Sequence, residues 1–220
     1  MQDIPSPPPD AQAALDRLVV LDPDMARVLE RAGPLPWRTR TPGFPGLLQA
    51  IVAQLISNQA AAAIWGRVRA IPGALEPETL LSLPEDTLRA AGLSRPKVGH
   101  ARSLATAFMD GTLNTAALAA LDDATAIKTI VSVKGLGPWT AEIYLLFALG
   151  RLDVFPAGDV ALAAAAAELK ALPVRPAPVA LRALAGMWAP SRSLATRLLW
   201  HHWRYLTGRP AMDDFPGIQG

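Results

Sequence analysis

The chemistry this 220-residue chain can offer is concentrated in two places. The first is Val133-Lys134-Gly135-Leu136-Gly137-Pro138-Trp139. Two glycines one residue apart permit a tight turn with positive φ and leave their amides uncovered by side chains. Amides exposed in this way beside a helix N-terminus form a concave donor site for a phosphate, and Lys134 adds a charge. An ordinary helix-to-helix turn explains the same glycines equally well. The second place is Asp159, twenty residues beyond Trp139 and at the expected start of a helix. Aspartate is a favoured helix cap, worth about 1 kcal/mol. It can also be a carboxylate kept ionised by helix amides and aimed at a developing positive charge, such as a sugar losing its leaving group. The residues alone leave both pairs of readings open.

Composition removes several other chemistries. The chain has no cysteine, which excludes disulfides, zinc–thiolate sites, a Cys-ligated iron–sulfur cluster and a Cys nucleophile. Its three histidines, His100, His201 and His202, lack the paired spacing of a metal site, so no metal is expected. A net charge of +2 and a pI near 9.3 are compatible with nucleic acid without demanding it. With 51% hydrophobic and 18% charged residues, the chain has the makings of a packed core. Charges or prolines interrupt every aliphatic stretch before the roughly 18 residues a membrane span needs. No membrane partner is expected, and the cytoplasm is the expected location.

The elements that must position these groups read as helices throughout. Ala/Leu-rich segments broken by proline, with no strand-like alternation, predict an all-α fold. Helices are expected over 11–20, 23–32, 45–56, 58–70, 77–82, 85–91, 95–110, 123–132, 139–149, 158–171, 177–187 and 191–206. Asp123 is the expected cap of the helix after it, Pro138 stands before the next, and Asp159 opens a run of alanines. The Pro-rich start, residues 1–10, reads as a disordered tail. The Pro/Gly-rich loop 34–45, with Arg38 and Arg40, marks a boundary. The expected organisation is two helical subdomains with a cleft between them: 11–42 with 152–220, and 43–151 with the hairpin.

Read together, the hairpin and Asp159 resemble the helix–hairpin–helix glycosylase superfamily, whose signature is a hairpin, a Gly/Pro-rich loop and a catalytic Asp. Here the block runs VKGLGPWTA from Val133, then GRLDVFPAGD from Gly150 to Asp159. Three further stretches agree: LQAIVAQLIS at 48–57 resembles the helix bearing the DNA-inserting loop, GLSRPK at 92–97 the turn before a long helix, and WAPSRSLA at 188–195 with Leu199-Trp200 the C-terminal helix of the bacterial 3-methyladenine DNA glycosylase II branch. The likeness covers roughly residues 43–203, and only about forty residues precede it, so the extra N-terminal domain of longer bacterial members is expected to be missing.

The resemblance implies a monofunctional base-excision enzyme that flips an alkylated purine out of double-stranded DNA and hydrolyses its N-glycosidic bond. Asp159 matches the catalytic carboxylate. Trp139 stands where lyase members keep a Schiff-base lysine, so no amine nucleophile is expected there. Trp139, Trp200, Tyr144 and Phe44 are the expected substrate pocket. Leu55 matches the wedge that fills the vacated stack, and Gln54, Lys97, Lys134, Gly135, Leu136 and Gly137 are the expected DNA contacts, with Gln54 and Ser57 open to either DNA contact or stabilisation of the loop. Two departures stand out: the pocket Tyr of the alkylbase branch falls on Ile143, one position from Tyr144, and His201 replaces another. No cofactor is implied, although relatives allow a monovalent cation on hairpin carbonyls. A monomer working at the nucleoid is the implied state. A different lesion, or a module that holds DNA without chemistry, is the competing expectation.

Overall fold

A computed structural model describes residues 6–211 and contains only helices among them. In chain order they are α1 (Pro9–Leu21), α2 (Pro23–Ala32), α3 (Phe44–Ala53), α4 (Asn58–Arg69), α5 (Pro77–Ser82), α6 (Glu85–Ala90), α7 (Arg95–Met109), α8 (Thr115–Ala120), α9 (Asp123–Val131), α10 (Pro138–Phe147), α11 (Val160–Leu169), α12 (Pro178–Leu184) and α13 (Arg192–Thr207), with a 3-10 turn at Ala185–Trp188 before the last.

The 21 prolines fit an all-α chain because many stand at helix starts. In α1, α2, α3, α5, α7, α10 and α12 a proline occupies the first or second position. There its missing N–H costs nothing and its fixed φ already suits the helix. Aspartate, asparagine or serine caps α2 as well and four further starts. Asp22 accepts from the Asp24 amide, Ser57 from Ala60, Asn114 from Ala117, Asp122 from Thr125 and Asp159 from Leu162. The cap of α9 is thus Asp122, and the expected Asp123 is that helix's first residue.

Other expectations shift with the same local chemistry. Helix α1 begins at Pro9, inside the stretch expected to be a tail, because Pro9 presets its first turn; residues 1–5 lie outside the described residues. Helix α8 has no counterpart in the sequence reading; unlike the equally short α5, which opens on Pro77, it has no proline start, and only the Asn114 cap announces it. Helix α3 stops at Ala53 rather than continuing to 56.

The chain divides into two compact units. One comprises the residues up to Thr39 together with Gly150–Arg209. In it α13 packs against α11, α2 and α1, over a core that includes Leu18, Met25, Val28, Phe155, Trp188 and Leu198. At about 1.5–3 kcal/mol for each large apolar side chain buried, this core is what holds α13 in place. Asp22 is buried beside it, taking Lys170 Nζ at 2.6 Å and Trp188 Nε1 at 2.7 Å. Burial pushes the Asp22 carboxyl upward, but bonds from Lys170 and Trp188 outweigh it and hold it below the ordinary carboxylate range.

The other unit comprises Arg40–Leu149 with Pro210 and Ala211 among the described residues. Its axis is α3, almost entirely buried, which packs on α7, α10 and α4, while α9 packs on α10. Such a helix, apolar on all sides, belongs in the middle of its unit. Its two ends therefore emerge at defined places, one at Phe44 and the other at the turn that begins with Gln54.

Candidate functional site

The hairpin joins α9 to α10 and is built on one unusual residue. Gly135 has φ +94°, and a Cβ there would run into the ring of His100 on α7. Only glycine satisfies both conditions. Gly137 does not share the expected positive φ. Its φ is −94° and ψ 173°, and a Cβ built on it meets nothing within 4 Å. An ordinary extended conformation before Pro138 suffices to enter α10. The fold itself thus has no need of a glycine at 137; what its absent side chain leaves open is the space outside the turn. Neither the Gly135 nor the Gly137 amide finds an acceptor among the described residues. Lys134 is exposed beside them.

Leu136, expected as a DNA contact, turns its side chain inward, where only 4% of it is exposed. Its amide donates to the Val133 carbonyl at 3.1 Å. It anchors the turn as an apolar plug, so its side chain is not a DNA contact. The Gly135 carbonyl accepts from Gln54 Nε2 at 3.0 Å. The turn thus keeps its shape through the protein's own donors. A cation could reach only the remaining lone pairs of these oxygens, and the geometry does not require one.

Beyond α3 the chain makes the tip of this unit. Leu55 has φ +57° and its side chain is fully exposed, at 103%. A leucine in the left-handed region costs roughly 1–2 kcal/mol, and one that buries nothing recovers none of it by packing. Ile56 beside it is 37% exposed, and Ser57 braces the next helix start. Gln54, expected either on DNA or as a brace of the loop, spends its amide group inside, on Gly135 and on Thr140 Oγ1 at 3.1 Å. Lys97, expected on a phosphate, places Nζ 2.7 Å from the Val52 carbonyl and is half-buried, and that burial lowers its pKa. The open carbonyls at the end of α3 attract it.

Two expected pocket residues prove to be packing groups. Tyr144 is 1% exposed, and its hydroxyl oxygen accepts the Gly43 amide at 2.8 Å, fixing the entry into α3. Burial raises its pKa. Phe44 is buried edge-on against Phe108, with ring centroids 5.7 Å apart. Both lie on the inward faces of helices that are themselves enclosed. Trp139, on the first turn of α10, remains half-buried.

In the other unit, the segment before α11 is tied down almost residue by residue. Asp153 accepts from Arg192 Nε at 2.7 Å and Nη2 at 2.8 Å. Burial acts to raise the Asp153 carboxyl, and these guanidinium bonds override it and hold it low. The Ser193 hydroxyl lies within bonding distance of both the amide and the carbonyl of Val154, and the Ser193 amide donates to the Leu152 carbonyl at 2.9 Å. Phe155 packs on Trp188 with ring centroids 5.7 Å apart.

This bracing delivers Asp159 to the N-terminus of α11, half-buried. Its Oδ1 accepts from the Leu162 amide at 2.9 Å and from Trp200 Nε1 at 3.3 Å. The Leu162 amide and the Trp200 indole together fix the direction of the carboxylate. Trp200 therefore has a role its spacing did not announce. Arg192 was likewise missed, although an arginine at a helix start and an aspartate in a Gly/Pro loop are natural partners. His201 is a satisfied packing residue: its Nε2 lies 3.1 Å from the Gly33 carbonyl and its Nδ1 3.3 Å from Arg204 Nη2. Burial, opposed by the Gly33 bond, lowers its pKa.

The hairpin with bare amides and the exposed apolar tip in one unit, and the capped carboxylate in the other, each stand beside a helix end of an all-α chain. The model of the HhH-GPD superfamily base excision DNA repair proteins matches residues 48–190, and the chain belongs to that superfamily. Among curated relatives, DNA-3-methyladenine glycosylase 1 of Schizosaccharomyces pombe is 30% identical over 161 residues, 71% of each chain. Among solved structures, the S. pombe 3-methyladenine DNA glycosylase in complex with abasic DNA superposes with a TM-score of 0.79 at 27% identity, covering 87% of this chain and 95% of that one. The DNA-3-methyladenine glycosidase of Bacillus halodurans gives 0.74 at 30% identity, covering 91% and 94%.

Proposed function

We propose that this chain is a monofunctional DNA glycosylase, acting as a monomer, which hydrolyses the N-glycosidic bond of an alkylated purine of the 3-methyladenine type in double-stranded DNA. The observation that carries the reading is the Asp159 carboxylate, held at a helix N-terminus by the Leu162 amide and Trp200. The relatives' names and the DNA complex of the S. pombe enzyme support the substrate class.

In this reading the Gly135 and Gly137 amides grip a backbone phosphate, with Lys134 adding charge, which fixes register without reading sequence. The damaged nucleotide leaves the stack at a cost of a few kcal/mol, and Leu55 occupies the gap. The bond between C1′ and the purine nitrogen then breaks, and its electron pair leaves with the base. Positive charge grows on the sugar, opposite the Asp159 carboxylate. Water adds to C1′ and loses a proton, leaving a hydroxyl on an intact abasic strand. An alkylated purine already carries positive charge, so it departs without an added proton. Trp200, bonded to Asp159, offers such a base an aromatic face worth about 0.5–2 kcal/mol. With tryptophan at 139 there is no amine to form a Schiff base.

Incubation with duplexes carrying a single alkylated purine tests this. The expected outcome is free base in solution and a strand that breaks only after alkali. Strand cleavage by the protein alone would contradict the role given to Trp139. Absence of free base from every alkylated duplex would remove the glycosylase reading.

A further inference from the structure

Two groups that the proposed chemistry does not use tie down the residues just before Leu55. Lys97, on α7, places Nζ 2.7 Å from the carbonyl of the fully buried Val52, in the last turn of α3. Gln54, the first residue beyond α3, reaches with Nε2 to the Gly135 carbonyl in the hairpin and to Thr140 Oγ1 on α10. Thr140 is itself buried, at 2% exposure. The next residue is Leu55, left-handed and wholly exposed. A left-handed leucine persists only where its surroundings over-determine the backbone, and nothing that packs on the Leu55 side chain does so. These bonds fix the residues immediately before it.

From these ties we infer that Gln54 and Lys97 are positioning residues of the Leu55 tip. They lock the end of α3 to the hairpin and to α7, so the tip is set before DNA arrives and seats together with the phosphate grip. The inference rests on the base-excision reading and deepens it. It also reassigns Lys97, which by residue type alone looks like a group that touches DNA. Rigid coupling matters because insertion and flipping must coincide, and a displacement of about 1 Å in a positioning element can cost on the order of a hundredfold in rate.

The test compares the parent with Gln54→Ala, Gln54→Glu and Lys97→Met, on duplexes in which the alkylated base is either paired or already unpaired in a bulge. Single-turnover base release, DNA affinity and the dependence of affinity on salt are measured. A positioning role predicts a rate loss of about tenfold to a hundredfold on the paired lesion, and a much smaller loss on the bulge, where little stacking remains to be broken. The salt slope stays at the parent's value. Gln54→Glu keeps the side chain's shape but sets an acceptor against the Gly135 carbonyl, so its loss equals or exceeds that of Gln54→Ala. It also keeps the inference testable if a smaller side chain at 54 fails to fold.

A salt slope lowered by about one in Lys97→Met would make Lys97 a phosphate contact and overturn its part. Losses of equal size on paired and bulged lesions would overturn the coupling. A parent that releases no base from either duplex would instead remove the base-excision reading on which the inference rests.

Discussion

The turn before α11 and the turn after α3 sit at opposite extremes of how a protein presents a working group. At the first, Arg192, Ser193 and Trp188 brace the segment from Leu152 to Phe155, and Asp159 emerges with two donors already on its carboxylate. At the second, the side chain that matters, Leu55, has no packing, and its backbone is left-handed. A charged group meant to stabilise a transition state must be aimed in advance, because reorienting it during the reaction would consume the advantage it supplies. In the proposed reading Leu55 is a wedge that gains its energy only on entering the base stack, which accounts for its exposed, strained state in the free protein. What the two share is firm support one step behind the working residue.

Substitutions can break this contrast, beginning with the largest expected effect. Gly135→Ala forces a Cβ into the His100 ring at a φ that alanine resists, so about 3 kcal/mol of stability is expected to be lost in denaturant melts, with weaker DNA binding. Arg192→Met removes a two-pronged partner from the part-buried Asp153. It should lower stability by about 1.5 kcal/mol and slow base release, whereas the support on the Leu55 side is untouched and DNA affinity is retained.

Acid should act on the Asp159 unit in two stages. His201 has a depressed folded pKa, so its contribution is present above its unfolded value near 6.5 and is lost as pH falls below that. Asp22 and Asp153 are also depressed in the folded chain. Their contributions persist above the unfolded carboxylate value near 3.9 and disappear as pH drops through their folded values. Thermal midpoints measured from pH 7.5 to pH 3 should therefore decline first modestly and then steeply; a flat profile would contradict the assignments. The smallest expected effect has the opposite sign. Leu55→Gly relieves the left-handed backbone and should raise stability by about 1 kcal/mol while slowing base release from paired lesions.

Many helices announced themselves in the sequence because their starts are chemical: Pro23 and Pro77 at first positions, Asp159 at a cap. The hairpin and Asp159 were legible for the same reason, as residue types with few alternative uses in that order. What stayed hidden depends on partners rather than on types. Lys97 and Gln54 bind backbone carbonyls, which every sequence possesses and none advertises. Tyr144 and Phe44 face inward because α3 and α10 are enclosed, a matter of tertiary packing that local periodicity does not reveal. Gly135 and Gly137 read alike, yet only the one facing His100 needs positive φ. The end of α3 was overrun because Leu55 looks like one more core leucine until its backbone is seen.

The account turns on the charge of Asp159, and Asp159→Asn isolates it. Asparagine caps a helix about as well as aspartate and has nearly the same shape, so stability and affinity for methylated duplex DNA should be preserved. Single-turnover release of the alkylated base should fall by about a hundredfold or more. Base release at the parent's rate from a folded, DNA-bound Asp159→Asn protein would contradict the central claim.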